Sequence, residues 1–257
     1  MATPDLIHAA AAFGAAFLAG MINSVAGGGT LVSFPTLIWL GLPAVTASAT
    51  NTVAIWPGAL GGAWGYRRQL RTAAPRMLAL LVPSAAGGVT GALLLRRTPP
   101  AAFEHLVPFL VLFATLLLMA QEPVQRRLKT AGAAAHTSPR WFAAAMLFQF
   151  LVGLYGGYFG AGIGILMLAA LSILGLTDIH QMNGLKNVLA MAINGVAAVY
   201  FMAAGMVAWP YALIMAVAAV AGGYSMAGLA LRLGRTTVRR IVISIGFAMA
   251  VSLFFRK

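Results

Sequence analysis

Apolar stretches separated by short polar or basic breaks run through the whole chain, and this pattern constrains the fold more than any other feature. Hydrophobic residues make up 61% of the sequence and charged residues only 8%, whereas a typical soluble domain is about one-quarter charged. The chain has too few polar side chains to cover a soluble globule. We therefore expect an all-α membrane protein whose helices face lipid.

Ten apolar segments lie between the polar breaks. They fall near residues 6–26, 30–42, 44–65, 77–95, 105–120, 141–159, 163–176, 183–204, 209–231 and 238–255. A full crossing needs about 20 apolar residues, so the second and seventh segments are too short to cross comfortably. They are expected to be tilted, re-entrant or half-helices, which gives 8–10 crossings in all.

Basic residues are concentrated in three loops, which set the expected orientation. The loops contain Arg67, Arg68, Arg71 and Arg76, then Arg126, Arg127, Lys129 and Arg140, and finally Arg232, Arg235, Arg239 and Arg240. If all ten segments cross, the three loops share one side, which the positive-inside rule places in the cytoplasm. Four crossings per half would separate the third loop from the others and fits less well. The net charge of +13 is thus explained by loops, and no nucleic-acid partner is expected.

The two halves of the chain resemble each other in sequence. Matched glycines occur in the segment that begins at Gly20 and in the one that begins at Gly153, and Asn51 matches Asn187. The offset between matched positions changes only from 133 to 136 residues. We therefore predict two repeats, residues 1–120 and 141–257, joined by a basic cytoplasmic linker at 121–140. An odd number of crossings per half makes the two repeats inverted.

Each half contains a glycine break inside an apolar stretch, Gly27–Gly29 in the first and Gly160–Gly162 in the second. Glycine costs a helix roughly 1 kcal/mol relative to alanine, so three together interrupt it. Paired breaks in inverted repeats are typical of a transporter's binding site, where freed N–H groups line a cavity. A helix N-terminus attracts anions. Close helix packing through small residues is the alternative reading of both breaks.

Polar side chains near the breaks complete the candidate site. Lys186 lies in a stripe of asparagines on the eighth segment and is the best candidate for attracting an anion, although it could instead snorkel to the interface. The tyrosines before the second break could be interfacial anchors. The candidate substrate-binding residues are Asn23, Ser24, Gly27, Gly28, Gly29, Thr30, Thr50, Asn51, Tyr155, Tyr158, Gly160, Gly162, Asn183, Lys186, Asn187 and Asn194.

Other kinds of chemistry find little support in the sequence. There is no cysteine, the four histidines are dispersed, and the four acids fall at segment ends or in loops. We expect no metal site, no cofactor and no enzymatic activity. The lack of a carboxylate deep in the membrane favours an anionic substrate over a cation.

These motifs resemble those of the sulfite exporter TauE/SafE family of bacterial permeases. The likeness rests on GMINSVAGGGTLVSFPTLIWLGLPAVTASATN, GLYGGYFGAGIGILMLAALSILGL and MNGLKNVLAMAINGVAAVYFMAAGMVAW, and it covers roughly residues 13–255. The resemblance implies a multi-pass inner-membrane protein that moves sulfite, sulfonates or related organosulfur anions, usually as export. The glycine break, Asn51, Lys186 and Asn187 stand at recurrent positions of the family.

The sequence therefore predicts a secondary transporter of a small sulfur-containing anion. Alternating access would come from one half rocking against the other around the breaks. An anion channel and a non-transporting membrane scaffold are the alternatives. The expected partners are the anion and the lipid bilayer, and a homo-oligomer is left open.

Overall fold

The computed structural model describes residues 4–25, 28–65, 78–130, 139–174, 176, 179–233 and 235–255. Within these residues the chain forms ten helices and no strand. The helices are α1 (Leu6–Val25), α2 (Thr30–Trp39), α3 (Ala44–Gly65), α4 (Leu81–Arg97), α5 (Pro100–Thr130), α6 (Pro139–Tyr158), α7 (Ile163–Ile173), α8 (Ile179–Ala203), α9 (Trp209–Leu233) and α10 (Arg235–Phe255).

The predicted all-α fold and its ten segments are confirmed, and the largest difference in length is in α5. Helix α5 begins five residues before the predicted segment and continues to Thr130, into the predicted linker. Its last turns are polar, so hydropathy alone ended the segment too early. The first basic loop, at 66–77, and Asp178 lie outside the described residues.

Several helices have the length and composition of membrane spans. Among the described residues, Leu6–Asn23, Pro100–Pro123, Arg140–Tyr158 and Gln181–Ala203 are long and apolar enough to cross a bilayer. Large apolar side chains such as Val82, Leu147 and Leu213 are exposed on the outer surface. Lipid is the solvent that such a surface requires.

Helices α2 and α7 are half-helices. They contain 10 and 11 residues, which corresponds to about 15 Å at 1.5 Å per residue, half of a hydrocarbon core of about 30 Å. Each begins directly after a glycine break. The two short segments of the sequence therefore do not cross the membrane by themselves.

The two sequence halves interlock through an exchanged helix. Helices α1 and α3 pack with α9 of the second half, and α2 packs on α1 and α3; we call these four helices bundle one. Helices α6 and α8 pack with α4 of the first half, and α7 packs on α6 and α8; we call these four helices bundle two. Bundle two has its own buried core, formed by α6, α7 and α8 together with Leu80 just before α4. Within the described residues, the main contact between the bundles is α3 against α8.

Helices α5 and α10, the last helix of each half, form an antiparallel pair outside the bundles. Phe109 contacts Phe254, Thr115 lies against Gly246, and Glu122 forms an ion pair with Arg239 at 2.8 Å. The ion pair brings the second and third basic loops to one end of the pair, as the predicted orientation requires.

Helices α3 and α8 also occupy the same place in their halves, and they too run antiparallel. Thr46 shares a pocket with Gly205, whereas Trp56, further along α3, lies against Gly195, further back along the chain. Inverted halves require corresponding helices to be antiparallel. The orientation of both helix pairs supports the inverted repeat, which otherwise stays a prediction.

Candidate functional site

The two glycine breaks meet at the middle of α5. A Cβ added to Gly28 would lie 3.3 Å from Leu118 Cδ2, and one added to Gly162 would lie 3.5 Å from both the Ala114 carbonyl oxygen and Leu117 Cδ1. Residues 114–118 form little more than one turn at the centre of this helix. Breaks that are far apart in the sequence thus lie against the same turn, near the middle of the membrane span.

Aromatic rings close the contact between the half-helices. Phe34 of α2 and Phe159 before α7 meet edge to face, with ring centroids 5.1 Å apart. Both rings are almost fully buried. The contact between the half-helices is therefore shielded from solvent in this conformation.

Backbone conformation explains why the breaks contain glycine. Gly28, Gly160 and Gly162 have φ angles of +95°, +80° and +78°, a region that other residues enter only with strain. Gly29 has ordinary helical angles, but a Cβ there would overlap the main chain of Ala19. Packing therefore accounts for Gly29, whereas the turn itself demands the other three.

Asn23 fastens the first break. Its side-chain Oδ1 accepts a hydrogen bond from the Gly29 N–H at 2.8 Å, just before α2 begins at Thr30. The carbonyl group of this amide is therefore already used inside the protein, although the sequence pointed to a substrate contact. Gly27 and the side chain of Ser24 lie outside the described residues.

Tyr155 fastens the second break as a hydrogen-bond donor, whereas Asn23 fastens the first as an acceptor. Its hydroxyl donates a hydrogen bond to the Ala161 carbonyl at 2.8 Å, and its ring packs edge to face on Phe113 of α5. The contact removes a hydrogen-bond acceptor from the break and consumes no backbone donor. The Ile165 N–H already donates to the Gly162 carbonyl at 3.1 Å. This leaves the N–H groups of Ile163 and Gly164, which have no acceptor within the helix, as the ones that can bind an anion.

Lys186 lies over the first turn of α7. A Cβ added to Gly164 would lie 3.2 Å from Lys186 Cδ and 3.8 Å from Cε. The lysine is partly buried. A cation and a helix N-terminus both carry positive charge, so their proximity is unfavourable by itself and favours an anion beside them. The glycine at position 164 makes this approach sterically possible.

Asn194, in the polar stripe of α8, also lies close to the second break. A Cβ on Gly160 would lie 3.7 Å from Asn194 Oδ1. Asn183 and Asn187 lie on the same helix and are partly buried. The structure therefore brings Lys186 and Asn194, predicted together on one helical face, to the same break.

The polar residues of α3 divide into two groups. Thr50 is fully buried, and its hydroxyl accepts the Ala208 N–H at 2.9 Å, which fastens the start of α9. Asn51 is 3% exposed, and its Oδ1 is buried without a hydrogen-bond partner. A buried unpaired polar atom costs about 1–3 kcal/mol. A hydrogen-bond donor on a protonated ligand or a water would therefore stabilise the Asn51 Oδ1.

Tyr158 lies away from the contact between the breaks. Its hydroxyl is 3.3 Å from Thr98 Oγ1, and its ring packs on Phe103, near the start of α5 rather than at its middle. A pocket of about 320 Å³ lies at the start of α3, lined by Thr46 and residues 205–210. This pocket and the breaks are separate features.

Sequence reasoning missed the apolar part of the site. Leu117 and Leu118 form its floor, and Phe34 and Phe159 close it. Trp56 was missed as well, although its buried Nε1 has no acceptor and its ring lies on Gly195, beside Asn194. Apolar side chains in a membrane helix carry no signal that separates a site from ordinary packing.

Comparisons with known proteins agree with this architecture. The chain is 25% identical over 245 residues to a probable membrane transporter protein of Haemophilus influenzae, covering 93% of this chain and 91% of the relative. It is 27% identical over 241 residues to the probable membrane transporter protein ORF9 of a Sinorhizobium species, covering 94% and 90%. The probable membrane transporter protein YfcA of Escherichia coli is 24% identical over 249 residues, covering 95% and 88%.

The family comparison also covers nearly the whole chain. No solved structure gives a significant match to the chain. The family described as sulfite exporter TauE/SafE matches residues 12–253, nearly the whole chain. Together with the apolar helices, this match confirms the expected multi-pass protein of the inner membrane. The chain belongs to the sulfite exporter TauE/SafE family of membrane transporters.

Proposed function

We propose that this chain is a secondary transporter that exports a small sulfur-containing anion, such as sulfite or a sulfonate, across the bacterial inner membrane. The observation that carries the proposal is the position of Lys186 over the first turn of α7. Two positive features meet there, and Lys186 is partly buried, so a dielectric below that of water strengthens their attraction for a negative charge.

The distribution of acidic residues supports an anion rather than a cation. Asp5 precedes α1, Glu104 lies in the first turns of α5, and Glu122 is paired with Arg239 at 2.8 Å. A cation path or an acidic proton relay would place carboxylates at the site itself. None of the three acids in the described residues lies there, and the fourth, Asp178, falls outside them. We therefore propose that proton coupling acts through protonation of the substrate.

The polar groups at the second break suit an oxyanion. Lys186 lies over the first turn of α7, and Asn194 lies beside Gly160. A sulfite or sulfonate group presents several acceptor oxygens to such donors. The position of Lys186 favours negative charge, whereas sulfur chemistry and export are suggested by the family description.

Transport into sealed vesicles tests the proposal. Purified protein is reconstituted, and uptake of radiolabelled sulfite, sulfate, thiosulfate, taurine and sulfoacetate is measured with and without a pH gradient. We expect saturable uptake of sulfite or a sulfonate, accelerated by the same anion on the opposite side. Conductance without counterflow would indicate a channel, and uptake equal to that of empty vesicles would indicate a scaffold. Either result would overturn the proposal.

A further inference from the structure

We propose that the bodies that move against each other during transport are bundle one and bundle two, not the two sequence halves. The inference rests on transport by this chain but not on the identity of the anion. Rocking of one half against the other is the expectation that a sequence repeat raises. The packing of α4 and α9 argues for different bodies.

Helix α4 is joined to the second half by contacts that leave no room for sliding. A Cβ on Gly87 would overlap the main chain of Phe150, and one on Gly157 would overlap that of Gly88. The backbones of α4 and α6 therefore touch directly. Gln149 adds a buried hydrogen bond from its Nε2 to Ser84 Oγ at 2.8 Å. Moving the first half as a unit would break every one of these contacts.

Helix α9 is joined to the first half in the same way. A Cβ on Gly20 would overlap the main chain of Ala219, and one on Gly222 would overlap that of Phe17. The buried Thr50 hydroxyl also accepts the N–H of Ala208, at the start of α9. Backbone contacts of this kind pack tightly and resist displacement. Each bundle is thus a close-packed unit that contains three helices of one half and one of the other.

The boundary between the bundles runs through α3 and α8 and through the ring contact of Phe34 with Phe159. At this boundary the Trp56 indole lies on Gly195, with its Nε1 unpaired. The first break, in bundle one, and the second break, in bundle two, meet across it, so relative motion of the bundles would change the distance between the breaks.

Distances between spin labels test the inference, and the absence of native cysteine makes labelling straightforward. Exposed positions on three helices are used: Leu18 on α1, Val82 on α4 and Leu147 on α6. The pair Val82→Cys and Leu147→Cys spans two halves but one bundle. The pair Val82→Cys and Leu18→Cys spans one half but two bundles. Each is measured in reconstituted full-length protein with sulfite, sulfate, thiosulfate or taurine, and with none.

We expect the Val82–Leu147 distance to stay constant and the Val82–Leu18 distance to shift when a transported anion is added. The reverse pattern, or no shift in either distance with any anion, would overturn the inference. A shift caused by taurine or sulfate but not by sulfite would leave the bundles intact and contradict sulfite as the substrate. The two proposals therefore fail separately.

A mercuric-ion bridge gives a functional readout. Mercury links the thiols of Ser84→Cys and Gln149→Cys within bundle two, and those of Trp56→Cys and Gly195→Cys between the bundles. Uptake of the anion that wild type transports is measured before and after linking, with single-cysteine variants as controls. We expect linking to block uptake only in the second variant. A block in the first variant, reversed by a thiol chelator, would restore the sequence halves as the moving bodies.

Discussion

The first and second glycine breaks lie against the same turn of α5, yet they are fastened in opposite ways. At the first, Asn23 accepts the N–H of Gly29 at 2.8 Å, which removes a hydrogen-bond donor. At the second, Tyr155 donates to the carbonyl of Ala161 at 2.8 Å, which removes an acceptor. The two breaks are thus alike in position and opposite in polarity, and the second is the one that we propose binds an anion.

A matched position on α3 and α8 also carries side chains that are used differently in the two halves. Thr50 and Lys186 immediately precede the matched Asn51 and Asn187. The Thr50 hydroxyl is occupied by the Ala208 N–H, whereas the Lys186 side chain lies over the first turn of α7. At this position the first half therefore uses its side chain for packing, whereas the second half presents a cation.

Removal of the Lys186 charge is expected to have the largest effect. Hydrogen bonds to charged groups contribute about 1.5–3 kcal/mol, so Lys186→Met should weaken anion binding roughly 10- to 100-fold. Titration of purified protein with labelled sulfite measures the change. Lys186→Arg, which keeps the charge, serves as the control and should lose less. Unchanged affinity in a folded Lys186→Met protein would remove this side chain from the site.

Release of the Ala161 carbonyl is expected to have the next largest effect. Tyr155→Phe keeps the ring but loses the hydroxyl, so the carbonyl can turn toward the anion and repel it. A neutral hydrogen bond is worth about 0.5–1.5 kcal/mol, which predicts an increase in KM of roughly 2- to 10-fold. The maximal transport rate should change less than KM. A loss of thermal stability with an unchanged KM would show that Tyr155 acts only in folding.

Replacement of Asn51 tests whether its buried amide serves the ligand. Since its Oδ1 has no partner, Asn51→Leu should leave the melting temperature unchanged or raise it, while anion affinity falls a few-fold. Asn51→Asp places a negative charge at the same position and should weaken binding more than leucine does. If leucine lowers the melting temperature and leaves affinity intact, the amide is structural.

Asn23 should have the smallest effect on binding. Asn23→Ala loses a cap on the start of α2, and loss of such a cap costs about 1 kcal/mol of stability. Thermal unfolding in detergent should show this loss, while anion affinity changes by less than about twofold, well within the range of an indirect effect. A loss of affinity as large as that of Lys186→Met would make the two breaks equivalent and remove the contrast.

Local sequence features were sufficient to predict the helices and their interruptions. Apolar run length fixes the position of a membrane helix, and three successive glycines at 27–29 interrupt one regardless of its neighbours. The stripe of Lys186 and Asn194 was also predictable, because helical spacing alone sets a common face. Both features depend on residues close in the sequence.

Contacts between distant helices were not predictable in the same way. Small residues occur in nearly every segment, so nothing marked Gly87 and Gly157 as the positions where backbones touch. The exchange of α4 and α9 between bundles followed from that packing. The sequence likewise does not reveal that the Asn23 amide oxygen accepts the Gly29 N–H, whereas donation by its N–H groups to a substrate stays a prediction.

Location of the bound anion tests the central claim most directly. Selenite resembles sulfite in shape and charge, and its selenium scatters anomalously, so diffraction from crystals grown with selenite shows where it binds. The chain has no cysteine to reduce it. We predict one peak within hydrogen-bonding distance of Lys186 Nζ and the first N–H groups of α7. A peak beside Thr30 and Asn23 at the first break, with the second break empty, would contradict the account.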